Sequence, residues 1–343
     1  MKALVYQGPG AIGLESVGDP SPLHGEVLLR VDAAGVCGTD RHIVAGQLGV
    51  EPGTVPGHEI AGTIIEMGSG VEEWKLGERV ACFGQVTCGT CRACLSGASN
   101  LCRAPAVLGM ARQGGFAEMV ALPVNCLIRL PDDVSSPIGA IASDAIATPL
   151  HALWNVGKLR PGETVVVIGA GGLGLHAIQL ARLGGAADVV AVDPSEAARQ
   201  AALMAGADAV LDPNSEENPV RALRRLAKGA TLALECVGSS ETVEMGIAAL
   251  SAGGRLVVVG VGNAQPSLPP LSRFIGAELS ILGSFGSTPV EIETVLNLIQ
   301  KGRFDISRSV QSEVPLAEAA AIFSGPSGPA RTVILPEGQE LRP

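Results

Sequence analysis

The chain has 343 residues and a formal net charge of -10, with 47% hydrophobic and 17% charged residues. This balance predicts a compact globular protein of about two domains and argues against disorder. The negative charge disfavours nucleic acid and anionic membrane as partners, and the longest basic run is only RALRR at 221–225. Since the sequence has no signal-peptide pattern and no apolar run of about 20 residues, we expect a cytoplasmic protein with no membrane partner.

Short Val-rich runs broken by Gly and Pro occupy the first third of the chain. Runs of this kind predict strands of a β-rich domain, and the sequence shows no regular helices between them. They lie at 26–35, 58–68, 78–83 and 116–123.

The segment AGVCGTDRHI (34–43) places a thiol, a hydroxyl and an imidazole together in what the sequence indicates is a loop. Cys37 is a natural zinc ligand, and PGHE supplies His58 followed by Glu59. A catalytic zinc needs three protein ligands and an open fourth position, and Asp144 is the candidate third ligand. Each residue alone has an ordinary structural explanation, because a lone Cys is usually a small buried hydrophobe. Their combination favours a metal site.

Four of the eight cysteines follow the pattern C-x2-C-x2-C-x7-C on a single loop. Four thiolates at this spacing can surround one tetrahedral zinc and close it to substrate, so the predicted role is structural. An iron–sulfur cluster and four free thiols are the alternatives. Zinc is favoured because nothing nearby indicates electron transfer and a dense loop of free thiols would be prone to oxidation. The four residues are Cys88, Cys91, Cys94 and Cys102.

From residue 160 the pattern changes to short apolar runs that alternate with Ala-rich stretches of helical length. Six such runs predict a parallel, doubly wound sheet with helices on both faces. We therefore expect a Rossmann domain over 146–285 and a β-rich domain over 1–145 and 286–343. A helix and a last strand at 330–336 return the chain to the β-rich domain.

The first of these runs, TVVVIG, leads into the glycine-rich turn GAGGLG. Glycines there allow a tight turn and let the backbone approach a pyrophosphate at a helix N-terminus. Asp193 follows Gly174 by nineteen residues; a carboxylate there can bind an adenosine ribose and repel a 2'-phosphate, which favours NAD over NADP. The alternative is that Asp193 only caps a helix, and Arg199 could offset part of the repulsion. The predicted turn contains Gly169, Gly171, Gly172, Leu173 and Gly174.

With these motifs the chain resembles the zinc-dependent medium-chain alcohol dehydrogenases of the medium-chain dehydrogenase/reductase superfamily. The resemblance covers essentially the whole chain, through VCGTDRH, GHEIAG, the four-cysteine loop, GAGGLG and ARTVIL. It implies an α/β fold with a GroES-like β-rich catalytic domain and a Rossmann NAD-binding domain. It also implies two zinc ions per chain, one catalytic and one structural.

The resemblance assigns roles to the residues around the predicted catalytic metal. Cys37 and His58 match zinc ligands, Glu59 matches an acid that can approach the metal, and Asp40 matches a carboxylate that orients the histidine. Many members carry cysteine where this chain has Asp144, whereas some bacterial secondary-alcohol dehydrogenases carry aspartate. The exchange keeps the ligand charge at minus one, and the glutamate ligand of polyol dehydrogenases is not matched.

Four more residues receive roles in the same way. Thr39 matches the hydroxyl that contacts the alcohol, and His42 matches the histidine that ends the proton relay. Thr148 matches a contact to the nicotinamide, and Arg331 matches a contact to the cofactor pyrophosphate.

The predicted reaction is hydride transfer between a small alcohol, best a secondary one, and NAD, giving a ketone or aldehyde. One alternative is a dehydrogenase or reductase of a larger hydroxy or polyol substrate. Another is a non-catalytic binding module on the same fold, which the complete set of catalytic groups disfavours. By resemblance we expect a homotetramer or homodimer, with the run GRLVVVGVG as an edge strand that mediates assembly.

Overall fold

The computed structural model describes residues 1–325 and 328–336. The chain divides into two compact units, one formed by Met1–Ala147 with the chain from Ser287 onward, the other by Thr148–Gly286. Each unit has its own core, and both cores consist mainly of Val, Leu, Ile and Ala side chains. This agrees with an aromatic content of only 3%.

In chain order the strands are β1 (Lys2–Gly8), β2 (Ala11–Ser16), β3 (Glu26–Gly35), β4 (Glu59–Met67), β5 (Arg79–Cys82), β6 (Gln85–Val86), β7 (Ala106–Val107), β8 (Met119–Pro123), β9 (Leu127–Arg129), β10 (Thr164–Ile168), β11 (Asp188–Val192), β12 (Ala209–Leu211), β13 (Leu232–Glu235), β14 (Arg255–Val258), β15 (Ser280–Gly283), β16 (Val310–Pro315) and β17 (Arg331–Leu335). The α-helices are α1 (Gly38–Val44), α2 (Arg92–Leu95), α3 (Ser136–Ile141), α4 (Ala147–Leu150), α5 (Gly174–Leu183), α6 (Glu196–Met204), α7 (Pro219–Leu226), α8 (Ser240–Ala249), α9 (Leu271–Gly276) and α10 (Pro289–Gln300). The 3-10 segments are Ser99–Leu101, Val124–Cys126 and Leu316–Ser324, and the π segments are Ala142–Ile146 and His151–Val156. Among the residues described, no helix combines the length and the apolar character that a membrane span requires.

The first unit is built on a seven-stranded sheet in the order β16-β17-β3-β4-β5-β9, with β8 also paired to β3. β3 pairs antiparallel with β17, β4 and β8, and every residue of it except Arg30 is buried. Leu29 and Val31 join Phe116 in the core. The predicted β-rich domain is thus confirmed.

A helix interrupts this region, contrary to the expectation that the strands follow one another without helices. α1 lies between β3 and β4 and contains most of the segment 34–43, which the sequence indicated as a loop. Cys37 is extended, with φ -92° and ψ 162°, and its backbone N–H donates to Asp40 at 2.8 Å. This carboxylate closes the first turn as in a capping box. The helix has only seven residues, too few for a clear apolar period.

The second unit is a six-stranded parallel sheet in the order β12-β11-β10-β13-β14-β15. Its strands are the six apolar runs of the sequence, which confirms the predicted Rossmann architecture. The three central Val residues of β10, 165–167, are completely buried, as expected for a strand covered on both faces. Ile168 lies opposite Val192 on one side and Glu235 on the other, so the carboxyl ends of the three strands meet at one edge.

The position predicted for the edge of this sheet is wrong. β14, which contains most of the run GRLVVVGVG, pairs with β13 on one side and with β15 on the other. The edge strands are β12 and β15. Strand order depends on how each crossover returns to the sheet, and the crossover through α9 adds β15 beyond β14. That information is not contained in the local sequence.

The C-terminal part of the chain belongs to the first unit. α10 is followed by β16, which the sequence did not reveal, and by β17. β17 pairs parallel with β16 and antiparallel with β3, where Val333 lies opposite Gly35. This pairing places Arg331, the first residue of β17, near the end of β3.

Candidate active site and metal centres

Asp40 connects the start of α1 to the loop before β4. It is completely buried, and its Oδ1 accepts a hydrogen bond from the Gly57 backbone N–H at 3.2 Å. The same oxygen lies 3.5 Å from Nδ1 of His58. A carboxylate in this position orients the imidazole and leaves Nε2 for a ligand. Burial alone would lower the pKa of His58, but the charge of Asp40 and the nearby Asp144 carboxylate raise it well above its usual value.

Three donor atoms converge beyond this histidine. Asp144 Oδ2 lies 3.5 Å from Cys37 Sγ and 3.7 Å from His58 Nε2. A tetrahedral zinc with bonds of about 2.0–2.3 Å separates its ligands by roughly 3.3–3.8 Å, so this spacing fits zinc. Donor atoms of these residues and of Glu59 all lie within 4.8 Å of one another. The structure therefore brings the predicted ligand set together.

A buried ion pair lies beside the three donors. Arg331 Nη2 is 2.8 Å from Glu59 Oε1, and Glu59 is completely buried. The same nitrogen is 3.6 Å from Cys37 Sγ and 3.6 Å from Asp144 Oδ2. Burial acts to raise the pKa of Glu59, and the charge of Arg331 opposes this shift. A Cβ at Gly35 would collide with Glu59 Oε2, so the glycine makes room for the carboxylate.

Arg331 has surroundings that the sequence did not indicate. The resemblance assigns it to the cofactor pyrophosphate, whereas the structure buries its guanidinium against Glu59, Cys37 and Asp144. Its positive charge compensates these negative groups. The contact depends on the pairing of β17 with β3, which brings residues almost 300 positions apart together, and no local pattern signals it. The cofactor contact stays a prediction.

Thr39 and His42 lie three residues apart on α1, a spacing that places side chains on the same face of a helix. Thr39 Oγ1 is 3.8 Å from Cys37 Sγ, so this hydroxyl lies next to the metal donors. His42 Nδ1 donates to Gln47 Oε1 at 2.5 Å. A histidine that donates from Nδ1 keeps Nε2 as its acceptor when neutral. The contact to Gln47 requires the turn at Gly46, where φ is +75°.

The four cysteines of the C-x2-C-x2-C-x7-C loop form a second donor cluster, between β6 and β7. Cys91 Sγ is 3.5 Å from Cys94 Sγ, and Cys102 Sγ is 3.6 Å from Cys88 Sγ. All four sulfur atoms lie within 4.8 Å of one another. These separations fit one tetrahedral zinc with four sulfur ligands.

The electrostatics of this cluster also favour a cation. The Cys88 backbone N–H donates to Cys102 Sγ at 3.3 Å, and the Thr90 backbone N–H lowers the pKa of Cys88 to about 6. Burial and the neighbouring thiols raise the pKa of Cys94 to about 11. The two shifts have different causes, because backbone N–H groups stabilise the thiolate of Cys88 whereas burial and the neighbouring thiols disfavour that of Cys94. A bound cation would stabilise all four thiolates.

The turn from β10 into α5 has room for a phosphate. Gly169 has φ +90°, and a Cβ at Gly174 would collide with the Gly169 carbonyl oxygen, so α5 packs directly on the turn. At Gly171 a Cβ would meet no atom within 4 Å. Gly172 and Leu173 complete the turn, and Leu173 is the N-cap of α5. The predicted residues are therefore together, in an arrangement that fits the pyrophosphate of a dinucleotide.

Asp193 directly follows β11 and connects this turn to α6. Its Oδ2 accepts from the Ala170 backbone N–H at 2.9 Å, and its Oδ1 accepts from that of Ser195 at 2.8 Å. The N-cap of α6 is Ser195, whose hydroxyl accepts from the Ala198 backbone N–H. Arg199 Nη1 donates to the Asp193 carbonyl oxygen at 2.8 Å. Asp193 thus lies at the edge of the glycine-rich turn and is not the cap of α6.

Thr148 is the remaining predicted site residue. It is buried on α4, and it is the first residue of the second unit, whereas both cysteine-containing donor sets belong to the first unit. Its contact to a nicotinamide stays a prediction.

Comparisons with known proteins agree with these observations. The alcohol dehydrogenase GroES-like domain family matches residues 23–132, and the zinc-binding dehydrogenase family matches residues 172–301. The L-threonine 3-dehydrogenase of Streptomyces coelicolor is 33% identical over 98% of this chain and 99% of its own length.

Solved structures show the same similarity. Alcohol dehydrogenase TADH from Thermus sp. ATN1 has a TM-score of 0.90 and 32% identity, over 98% of this chain and 99% of that one. A zinc-binding dehydrogenase from Sinorhizobium meliloti 1021, solved with NADP bound, has a TM-score of 0.89 and 32% identity over the same shares. Since the relatives span nearly the full length and both zinc donor sets are present, this chain belongs to the zinc-dependent medium-chain alcohol dehydrogenases.

Proposed function

We propose that this chain is an NAD-dependent dehydrogenase that interconverts a secondary alcohol and its ketone. The observation that carries the proposal is the convergence of Cys37 Sγ and His58 Nε2 on Asp144 Oδ2, at 3.5 and 3.7 Å, beside the Thr39 hydroxyl. When bound, zinc supplies polarisation of the substrate oxygen, and the nicotinamide supplies or accepts the hydride.

Within this proposal Cys37, His58 and Asp144 hold the catalytic zinc. Cys37 and Asp144 together contribute two negative charges, which balance a divalent cation. Glu59 is engaged by Arg331 at 2.8 Å, so we assign it as a neighbouring acid that can exchange onto the metal and not as a permanent ligand.

The chain's own groups also supply the two ends of a proton relay, Thr39 and His42. Thr39 Oγ1 accepts a hydrogen bond from the substrate hydroxyl, and His42 takes up the proton at Nε2 because Nδ1 is engaged by Gln47. Half-exposed His42 can then exchange protons with solvent. A histidine suits this role because its imidazole can both accept and donate a proton.

NAD as the cofactor is supported by Asp193. Its carboxylate lies at the edge of the glycine-rich turn through its bond from Ala170, where it can accept hydrogen bonds from a ribose and repel a 2'-phosphate. Similar proteins do not all bind the same nucleotide: the Sinorhizobium meliloti structure holds NADP.

A secondary alcohol is supported by two observations. By the resemblance, Asp144 stands where some bacterial secondary-alcohol dehydrogenases carry an aspartate. Carbon 3 of threonine, named in the Streptomyces coelicolor relative, bears a secondary hydroxyl. A larger hydroxy or polyol substrate is the second candidate. We also propose that the protein resides in the reducing cytoplasm, which keeps the zinc-binding thiols available. We propose further that it assembles as a homodimer or homotetramer, which the exposed apolar side chains of Leu271 and Ile275 support.

The test is elemental analysis followed by initial rates with primary, secondary and polyhydric alcohols, each with NAD and with NADP. Two zinc ions per chain and the highest kcat/KM for secondary alcohols with NAD would support the proposal. Highest kcat/KM for polyols would favour the second candidate, and turnover with NADP alone would contradict the assigned cofactor.

A further inference from the structure

Two carboxylates stand side by side at the carboxyl edge of the Rossmann sheet. β11 and β12 are parallel, with Val192 opposite Leu211. Asp193 and Asp212 are the residues that directly follow these two strands, so they leave the sheet at the same level. Oδ1 of Asp212 accepts from the Asn214 backbone N–H at 2.9 Å, which fixes its orientation.

Arg199 lies between them. From the first turns of α6 its Nη1 donates to the carbonyl oxygens of Asp193 and Pro194, at 2.8 Å each. The same nitrogen is 3.2 Å from Asp212 Oδ2. The arginine side chain is only 17% exposed. The guanidinium is therefore held against the turn between β11 and α6 by two carbonyl groups and one charge.

This arrangement bears on how the site treats the 2' position of the adenosine ribose. An arginine near the acidic residue after the second strand can accommodate a 2'-phosphate, and Arg199 is in the right place to do so. Here, however, the negative charge of Asp212 balances the positive charge of Arg199. With Asp193 included, the three residues carry a net charge of minus one. A phosphate bearing nearly two negative charges meets an unfavourable field.

We propose that Asp212 is a second determinant of nucleotide choice. It holds Arg199 against the β11–α6 turn and so withholds the arginine from the 2'-phosphate of NADP. The inference rests on the proposed nucleotide site at Asp193, and it adds a residue on a different strand that does not itself need to touch the nucleotide.

The test is the substitution Asp212→Asn in the full-length, zinc-loaded protein. Asparagine keeps the shape, and its Oδ1 can still accept from the Asn214 N–H. Its amide nitrogen then replaces the charged oxygen opposite Arg199, so both the charge and the acceptor that hold the arginine are removed. We expect NADPH to bind to this variant about tenfold more tightly than to the wild type. The affinity for NADH should change by less than about threefold. Fluorescence titration with NADPH and NADH measures both without turnover.

A matched control is available on the same strand. Asp208 precedes β12 at its other end, where it pairs with Arg182 and accepts from the Val189 backbone N–H at 2.7 Å. Asp208→Asn makes the same change in charge away from the carboxyl edge, and it should leave the ratio of the two affinities unchanged. Arg199→Gln added to Asp212→Asn should abolish the gain in NADPH affinity.

Three results would overturn the inference: no gain in NADPH affinity for Asp212→Asn, a gain that persists without Arg199, or an equal loss of affinity for both nucleotides. The wild-type preference is a separate readout. A wild type that binds NADPH better than NADH would contradict the proposed NAD preference, while the ratio of variant to wild type still tests Asp212.

Discussion

At the scale of single residues, Asp144 decides whether the first donor set can hold zinc. It contributes the oxygen that lies 3.5 Å from Cys37 Sγ and 3.7 Å from His58 Nε2. Asp144→Ala leaves two protein donors, fewer than a catalytic zinc needs. We expect zinc to fall from two ions per chain toward one and turnover to be lost, with NADH binding retained. Elemental analysis and fluorescence titration measure these two properties.

Two variants accompany this change. Asp144→Cys keeps a ligand of the same charge and should keep both zinc ions. Asp133→Ala removes an exposed carboxylate of the same unit, which among the described residues accepts only from Gln300, and should leave zinc content and turnover unchanged. Normal zinc content and turnover in Asp144→Ala would show that the third ligand lies elsewhere, with Glu59 the next residue to test.

Glu163, directly before β10, connects that strand to β13 and β14 through hydrogen bonds. It accepts two hydrogen bonds from Arg255, at 2.6 and 2.8 Å, and one from the Thr231 hydroxyl at 2.6 Å. Burial alone would raise the pKa of Glu163, but the bonds from Arg255 and Thr231 lower it to about 2. Because the folded pKa lies below the unfolded value, the stabilisation is complete above about pH 5 and is lost as the pH falls toward 2.

We therefore expect Glu163→Gln to lower the free energy of unfolding at pH 7 by about 1–2 kcal/mol, after allowance for the solvent screening of this partly exposed group. The difference from the wild type should shrink steadily between pH 5 and pH 3. Urea unfolding at several pH values measures it, and exposed Glu217→Gln serves as the control. A difference independent of pH would mean that packing, and not charge, is responsible.

Among the helices and strands, the sequence predicts those that a local pattern of apolar and turn residues determines. The strands of the Rossmann sheet are runs of buried aliphatic residues, such as 165–167, bounded by turns, and those strands were identified. α1 was missed because its cap is Cys37 with Asp40 as the closing side chain, a variant of the usual pairing of Ser or Thr with Glu.

The same limit applies to the candidate site. Cys37, His58 and the four-cysteine loop are recognisable because their neighbours in sequence form motifs. Asp144 lies in a π segment, a rare wider turn that is frequent at functional sites and has no dependable sequence signature. The place of Arg331 follows from strand pairing over nearly the whole chain, so the sequence could not show its ion pair with Glu59.

The glycine-rich turn gives a prediction that separates folding from binding. Gly174→Ala places a methyl group against the Gly169 carbonyl, so we expect a loss of about 1–3 kcal/mol in stability and weaker NADH binding. In Gly171→Ala the added methyl group meets no protein atom within 4 Å, so this variant should fold normally. It should bind NADH at least about tenfold more weakly, because the methyl group occupies the space of the pyrophosphate. Thermal unfolding and NADH titration distinguish the two effects. Wild-type affinity in Gly171→Ala would show that the pyrophosphate does not lie on this turn.

At the scale of the whole molecule, the two units carry different parts of the chemistry. Both metal donor sets lie in the first unit, and the glycine-rich turn with Asp193 lies in the second. Each unit has its own aliphatic core. A ligand stabilises the structure to which it binds, so removal of zinc should loosen the first unit and leave the second largely intact.

Hydrogen exchange after chelation tests this separation. We expect faster exchange in α1 and in the segments 85–107 and 57–62, because the donor residues in them lose the ion that holds them together. β10, β11 and β13 should keep their protection, and NADH affinity should stay within about threefold of the untreated protein. In Asp144→Ala, which retains the four-cysteine site, segment 85–107 should stay protected while α1 exchanges faster. Equal loss of protection in both units would mean that zinc stabilises the molecule as one cooperative body.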